Sequence, residues 1–177
     1  MPFEGRVPAS TSNLGPGFDC FGLALKLYLT VRATAVPGAS ESCRVTTTGA
    51  PENEALPRNA VNLIYRAMSF AARREATSLP PVELHVHNEI PLARGLGSSA
   101  AAIVAGIKLA GMITGKEIPD QAIQNYATEF EGHPDNVAAS LYGGFVTTCM
   151  TSDGTVVSAK FNWPAHIRVV VVSPHSQ

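Results

Sequence analysis

Basic clusters, paired cysteines and long apolar runs are all missing from this chain. Lys and Arg number 13 against 14 Asp and Glu, the net charge is -1, and only Arg73 and Arg74 stand side by side. That pattern leaves no electrostatic footprint for nucleic acid, and the pair suits a solvated helix end. The three cysteines, Cys20, Cys43 and Cys149, are far apart with no CxxC spacing, which leaves reduced, buried thiols as the default. The most apolar stretch, Ala100 to Met112, is interrupted by Lys108 and falls short of the roughly 20 residues a membrane span needs. The opening MPFEGRVPAS lacks a basic segment followed by an apolar one, so no signal peptide is indicated. A soluble, reduced, cytoplasmic protein is expected, with neither nucleic acid nor membrane among its partners. No internal repeat or low-complexity segment appears.

What is present suits a single domain with a sizeable core: 177 residues, 45% apolar and 15% charged. Residues 21–36 and 42–48 read as strands, and the proline-containing stretch 49–59 as a loop. Asn59 is placed to cap a helix running to about Glu75, with Val61, Ile64, Tyr65 and Met68 on one face. Val82, Leu84 and Val86 alternate with Glu83, His85 and His87, the pattern of a half-buried strand. A helix is expected to open within 91–102 and run to about Ile113, and a second over 119–130. Residues 145–150 and 155–161 form a hairpin around Ser152-Asp153-Gly154, and the apolar run 167–172 reads as a buried strand. Strands and helices are interspersed without strict alternation, so an α+β fold is expected.

The segment Pro91-Leu92-Ala93-Arg94-Gly95-Leu96-Gly97-Ser98-Ser99-Ala100-Ala101 lies between a strand and a helix. Glycines let backbone N–H groups approach an anion, and a helix start adds free donors and a favourable dipole. Ser98 and Ser99 add hydroxyls that suit phosphate or Mg²⁺. A Walker A loop needs a lysine after the glycines, and none is there. Gly95, Gly97 and Ala100 nominally fit a dinucleotide fingerprint, but the preceding strand is half polar and no acidic residue follows a second strand. A serine-capped helix after a glycine turn remains the bland alternative. His85 and His87 share a strand face that could suit a metal, yet no third ligand is evident, and surface histidines are the preferred reading.

Three segments, in order, resemble the GHMP kinases. Val7 to Asp19 (VPASTSNLGPGFD) resembles their first motif and Pro91 to Ala102 their second, P-x-x-x-G-L-G-S-S-A-A. Glu131-Gly132-His133-Pro134-Asp135-Asn136, followed by Leu141 to Phe145, resembles the homoserine kinase branch. The resemblance spans essentially the whole chain. It implies an N-terminal ATP-binding domain of the ribosomal protein S5 domain 2-like type over 1–165, with 166–177 leading toward a ferredoxin-like C-terminal domain. It also implies ATP-dependent phosphorylation of the L-homoserine side-chain hydroxyl in threonine biosynthesis, with ATP and Mg²⁺ as cofactors and a homodimer by analogy. Residues 91–101 would hold ATP, with Asn62 as a further adenine contact. Asn13, Asp19, His133 and Asn136 would face homoserine, where a carboxylate suits its ammonium group. Ser99 and Glu131 would bind Mg²⁺, with Glu129 as the rival carboxylate.

Asn136 stands where several relatives carry an aspartate base, and an amide cannot accept a proton. The resemblance therefore implies catalysis by positioning and charge stabilisation through Asn136, Ser99 and Glu131. Asp135 is expected to be structural. A threonine and arginines that reach γ-phosphate and substrate carboxylate in the family come beyond this point, and none of the arginines here matches their positions. The expectation is a fragment that binds ATP weakly and phosphorylates homoserine poorly alone.

Overall fold

Alternating apolar and polar residues give this chain a sheet with one dry face and one wet face. The structure, a computed structural model, describes residues 1–172. Its strands are β1 (Phe3–Leu14), β2 (Gly17–Ala35), β3 (Cys43–Gly49), β4 (Val82–Asn88), β5 (Phe145–Met150) and β6 (Val156–Phe161). The helices are α1 (Leu63–Arg74), α2 (Ser98–Thr114), α3 (Asp120–Glu131) and α4 (Asp135–Tyr142), with a short 3-10 turn at Pro51–Ala55. The six strands form one mixed sheet, ordered β3-β4-β2-β5-β6 with β1 also on β2. All pairs are antiparallel except β3 with β4. The α+β expectation holds.

The 19-residue strand β2 organises the rest. It pairs with β1 from Gly17 to Ala33 on one side. Its other edge takes β4 at residues 29–35 and β5 at residues 21–23. The sheet therefore splits between β4 and β5, and the chain leaving β4 touches β2 at Tyr28 and β1 at Ser10 before entering α2. Helix α2 is the core helix: Ile103, Val104, Ile107 and Leu109 are all buried, each contributing roughly 1.5–3 kcal/mol by leaving water. They meet Val7, Leu29, Val31, Leu84 and Val86 from the dry face. Helix α4 approaches β2 so closely that a Cβ at Gly22 would lie 2.3 Å from the Asp135 carbonyl oxygen.

Several sequence expectations need correction. Helix α1 is capped by Asn62 rather than Asn59, because Asn62 Oδ1 accepts from Ile64 N and its Nδ2 is tied to the Pro57 carbonyl. Asn59 instead closes a turn onto Val61 N. Residues 7–14 belong to strand β1 and Asn136 to the first turn of α4, two elements absent from the sequence expectations. The run 167–172 forms no strand, and Ile167, Val169, Val170, Val171 and Val172 are all exposed. An apolar run becomes a buried strand only beside a partner strand under a covering layer, and among the described residues neither covers it. The remainder of that stretch, 173–177, lies outside the described residues. Of the three thiols only Cys43 is buried; Cys20 in β2 and Cys149 in β5 are exposed.

Candidate active site

The loop 89–97 leads from β4 to α2, and its base is locked by a buried pair of amides. Asn88 Nδ2 donates to Asn53 Oδ1 at 2.9 Å and to the Ile90 carbonyl at 3.1 Å, while Asn88 Oδ1 accepts from Ile90 N. Beyond this anchor Ala93, Gly95 and Gly97 all take positive φ, at 55°, 67° and 66°. Gly97 is the N-cap of α2 and offers no side-chain cap. The first helix bond runs from Ala101 N to Gly97 O, so the amides before it are left for a ligand, at the positive end of a 17-residue helix. Gly97 is also required sterically, since a Cβ there would sit 2.1 Å from Ser10 Oγ.

Two cavities meet at this helix start, with Ala93, Ser98 and Ser99 lining both. The first, about 320 Å³, is largely apolar, walled by Leu56, Pro57, Val61, Leu63, Val86 and Leu92. Asn62 lies on its wall with both side-chain polar groups engaged by the backbone. The second, about 610 Å³, is polar and brings together Asn13, Asp19, His133, Asn136 and Glu131 with the loop from Ala93 to Ser99. Pro91 lines it as well, while Ala100 and Ala101 are buried behind the loop in the first turn of α2. The sequence-predicted acceptor and phosphate residues thus share one cleft.

Each acceptor-side residue is held by its own local device. Asn13 and Asp19 flank the hairpin turn between β1 and β2 and both adopt left-handed backbone, with φ of 60° and 55°. Asn and Asp tolerate this conformation better than most side chains, and Asp19 N donates to Asn13 Oδ1 at 3.4 Å. His133 Nδ1 lies 2.7 Å from Asp135 Oδ1, and that carboxylate, 1% exposed, also accepts from Asn136 N at 2.6 Å. With Nδ1 turned to the carboxylate, Nε2 is the ring nitrogen left for another partner. Ser99 Oγ donates to Glu131 Oε2 at 2.6 Å across the cleft mouth. Glu129 instead pairs with Arg74 and lines a separate cavity with Asn125 and Asp153.

Sequence reasoning missed the partners of Asn136. Its Oδ1 accepts from Ser10 Oγ at 3.0 Å and its Nδ2 donates to Ser12 Oγ at 2.8 Å. Ser140 Oγ donates in turn to Ser10 Oγ at 3.1 Å. The available signal was the i, i+2 spacing of Ser10 and Ser12, which puts both on one face of a strand.

Against known proteins, residues 62–144 match the family model described as GHMP kinases N terminal domain. The homoserine kinase of Deinococcus radiodurans is 42% identical over 173 residues, covering 98% of this chain and 54% of the relative. The chain carries a GHMP kinase N-terminal domain over residues 62–144. The homoserine kinase of Solibacter usitatus is 38% identical, with 97% and 55% covered. The crystal structure of homoserine kinase from Cytophaga hutchinsonii superposes on this GHMP domain with a TM-score of 0.76 at 26% identity, covering 96% of this chain and 57% of that one. A mevalonate kinase from L. major shares the fold at 15% identity and a TM-score of 0.66. The chain spans about half the length of the curated relatives it matches.

Proposed function

We propose that residues 1–165 form the ATP-binding domain of a homoserine kinase, which transfers the ATP γ-phosphate to the side-chain hydroxyl of L-homoserine. The observation that carries this reading is the shared cleft, with a glycine loop and helix start on one wall and Asn13, Asp19, His133 and Asn136 on the other. The 91–101 loop would take the phosphates, and the adjoining apolar cavity the adenine, whose face needs little polar recognition. Asp19 would hold the ammonium group, with Asn13 beside it, and His133, oriented by Asp135, would face the amino acid. Asn136 Oδ1 would receive the acceptor hydroxyl.

Ser99 and Glu131 present two hard oxygens 2.6 Å apart, a donor set that fits Mg²⁺, which takes few protein ligands and keeps several waters. Bound there, Mg²⁺ would offset charge on the phosphate chain. The Asn136 amide cannot act as a base, which suits phosphoryl transfer by positioning and electrostatic stabilisation. The product, O-phospho-L-homoserine, would serve threonine synthesis in the cytoplasm, and a homodimer is part of this reading.

A coupled ADP-release assay tests it, on the chain alone and on the chain completed by the second half of the Deinococcus radiodurans relative. L-Homoserine, mevalonate and galactose serve as acceptors. Homoserine-dependent release is the expected result. Preference for another alcohol would identify a different GHMP kinase, and ATP binding without turnover in both forms would identify a non-catalytic nucleotide-binding module.

A further inference from the structure

The contacts of Asn136 form a hydrogen-bonded chain with a fixed direction. Asn136 Nδ2 lies 3.4 Å from the Asp135 carboxylate, which only accepts, so Oδ1 must be the atom facing Ser10. Ser10, committed to donating there, must accept from Ser140. The order is therefore Ser140 O–H to Ser10, Ser10 O–H to Asn136 Oδ1, and Asn136 N–H to Ser12 Oγ. Ser10 and Ser140 are buried. Ser12 is half-buried and lines the cleft, and among the described residues its own hydroxyl hydrogen reaches no protein acceptor. Bonds aligned head to tail polarise one another, so the last O–H is a stronger donor than an isolated serine.

Position says what it donates to. Two residues before Ser12 on the same strand, Ser10 N donates to the Leu96 carbonyl and Ser10 Oγ abuts Gly97. The Ser12 hydroxyl thus opens toward the phosphate loop, with Asn136 beside it. We propose that Ser12 is a catalytic residue whose O–H donates a hydrogen bond to an oxygen of the phosphoryl group during transfer. This rests on the kinase reading above. In the step, the bond from the γ-phosphorus to the ADP oxygen breaks and one to the acceptor oxygen forms. The acceptor proton leaves to solvent, and Ser12 keeps its own. A donor aimed at charge that spreads over phosphoryl oxygens acts mainly in the transition state.

The test compares S12A and S12T with the parent protein, using two readouts. In turnover, S12A should lower kcat by about 10²-fold while KM for ATP and homoserine stays within about twofold, and S12T, which keeps the hydroxyl, should retain most of the rate. In binding, the preference for ADP with magnesium and aluminium fluoride over ADP with magnesium alone should fall by a similar factor in S12A only. Urea unfolding of S12A should match the parent, since the side chain is half-exposed. An S12A kcat within about threefold of the parent, or a loss confined to KM, would overturn the proposal. If neither the parent chain nor its completed form phosphorylates an acceptor, the kinase reading fails on that result. The aluminium fluoride preference still decides on Ser12, and an unchanged preference in S12A overturns its role.

Discussion

Replacing Gly97 by alanine, with Gly95→Ala as its internal control, separates the two demands the loop makes on glycine. Both residues have nearly the same left-handed φ, 66° and 67°, so both variants carry the same conformational penalty, about 1–2 kcal/mol for an alanine. They differ in space. A Cβ on Gly95 meets nothing within 4 Å, whereas one on Gly97 falls 2.1 Å from Ser10 Oγ and 3.0 Å from the Ser10 carbonyl. Ser10 cannot simply rotate away, because it is fully buried and its hydroxyl is bonded to Asn136 and Ser140. The strand or the loop must move, at a further cost of about 1–3 kcal/mol for overpacking. Gly97→Ala should therefore lose about 2–5 kcal/mol in urea unfolding against about 1–2 for Gly95→Ala. In a chain of this size that separates their melting temperatures by about 2–12 °C. ATP affinity, measured by calorimetry, should fall at least about tenfold in Gly97→Ala, since the displaced amides are the phosphate donors proposed above. Equal destabilisation of the two variants would refute the claim that β1 buttresses the phosphate loop through Ser10.

Four further predictions follow from individual residues. Glu131→Gln should raise the Mg²⁺ concentration needed for half-maximal ATP binding by about tenfold or more, while Glu129→Gln, which breaks only a surface pair with Arg74, should leave it unchanged and shift stability by less than about 1 kcal/mol; the reverse outcome would move the metal to Glu129. Asp135→Asn should raise KM for homoserine about tenfold by releasing His133 and Asn136, and should cost about 1–3 kcal/mol in urea unfolding because the group is buried; unchanged KM would remove His133 from the acceptor site. Burial pushes the Cys43 thiol up from 9.0 to about 11, so its folded form stays protonated while the unfolded chain ionises. Stability it contributes is present below pH 9.0 and is lost as pH rises toward about 11, and Cys43→Val should flatten that decline. An aromatic disulfide reagent should titrate Cys20 and Cys149 at once and Cys43 only on unfolding; three fast thiols would contradict the packing.

What the sequence revealed and what it hid divide along one physical line, between features carried by neighbouring residues and features carried by distant ones. Strand β4 and helices α2 and α3 were legible because their alternation, glycine start and proline start are local. So was the phosphate loop, whose geometry follows from Gly95 and Gly97 themselves. Strand β1 was not, because Pro8, Ser10, Thr11 and Ser12 break the apolar alternation that marks a strand. The buried Ser10 becomes acceptable in this strand because Asn136 and Ser140, more than 120 residues away, satisfy it, and Asn136 also bonds the half-buried Ser12. The choice between Glu129 and Glu131 has the same character. Two residues apart on one helix, they point to nearly opposite sides, and nothing in their own sequence says which side faces Ser99 and which faces Arg74. The run 167–172 reverses the case: its local signal for a strand is strong, but a strand is a relation between two segments, and among the described residues the second is absent. The acceptor half of the cleft therefore depends on contacts between β1 and α4, and Ser10, which touches both Asn136 and the phosphate loop, is the residue through which a change on one side reaches the other.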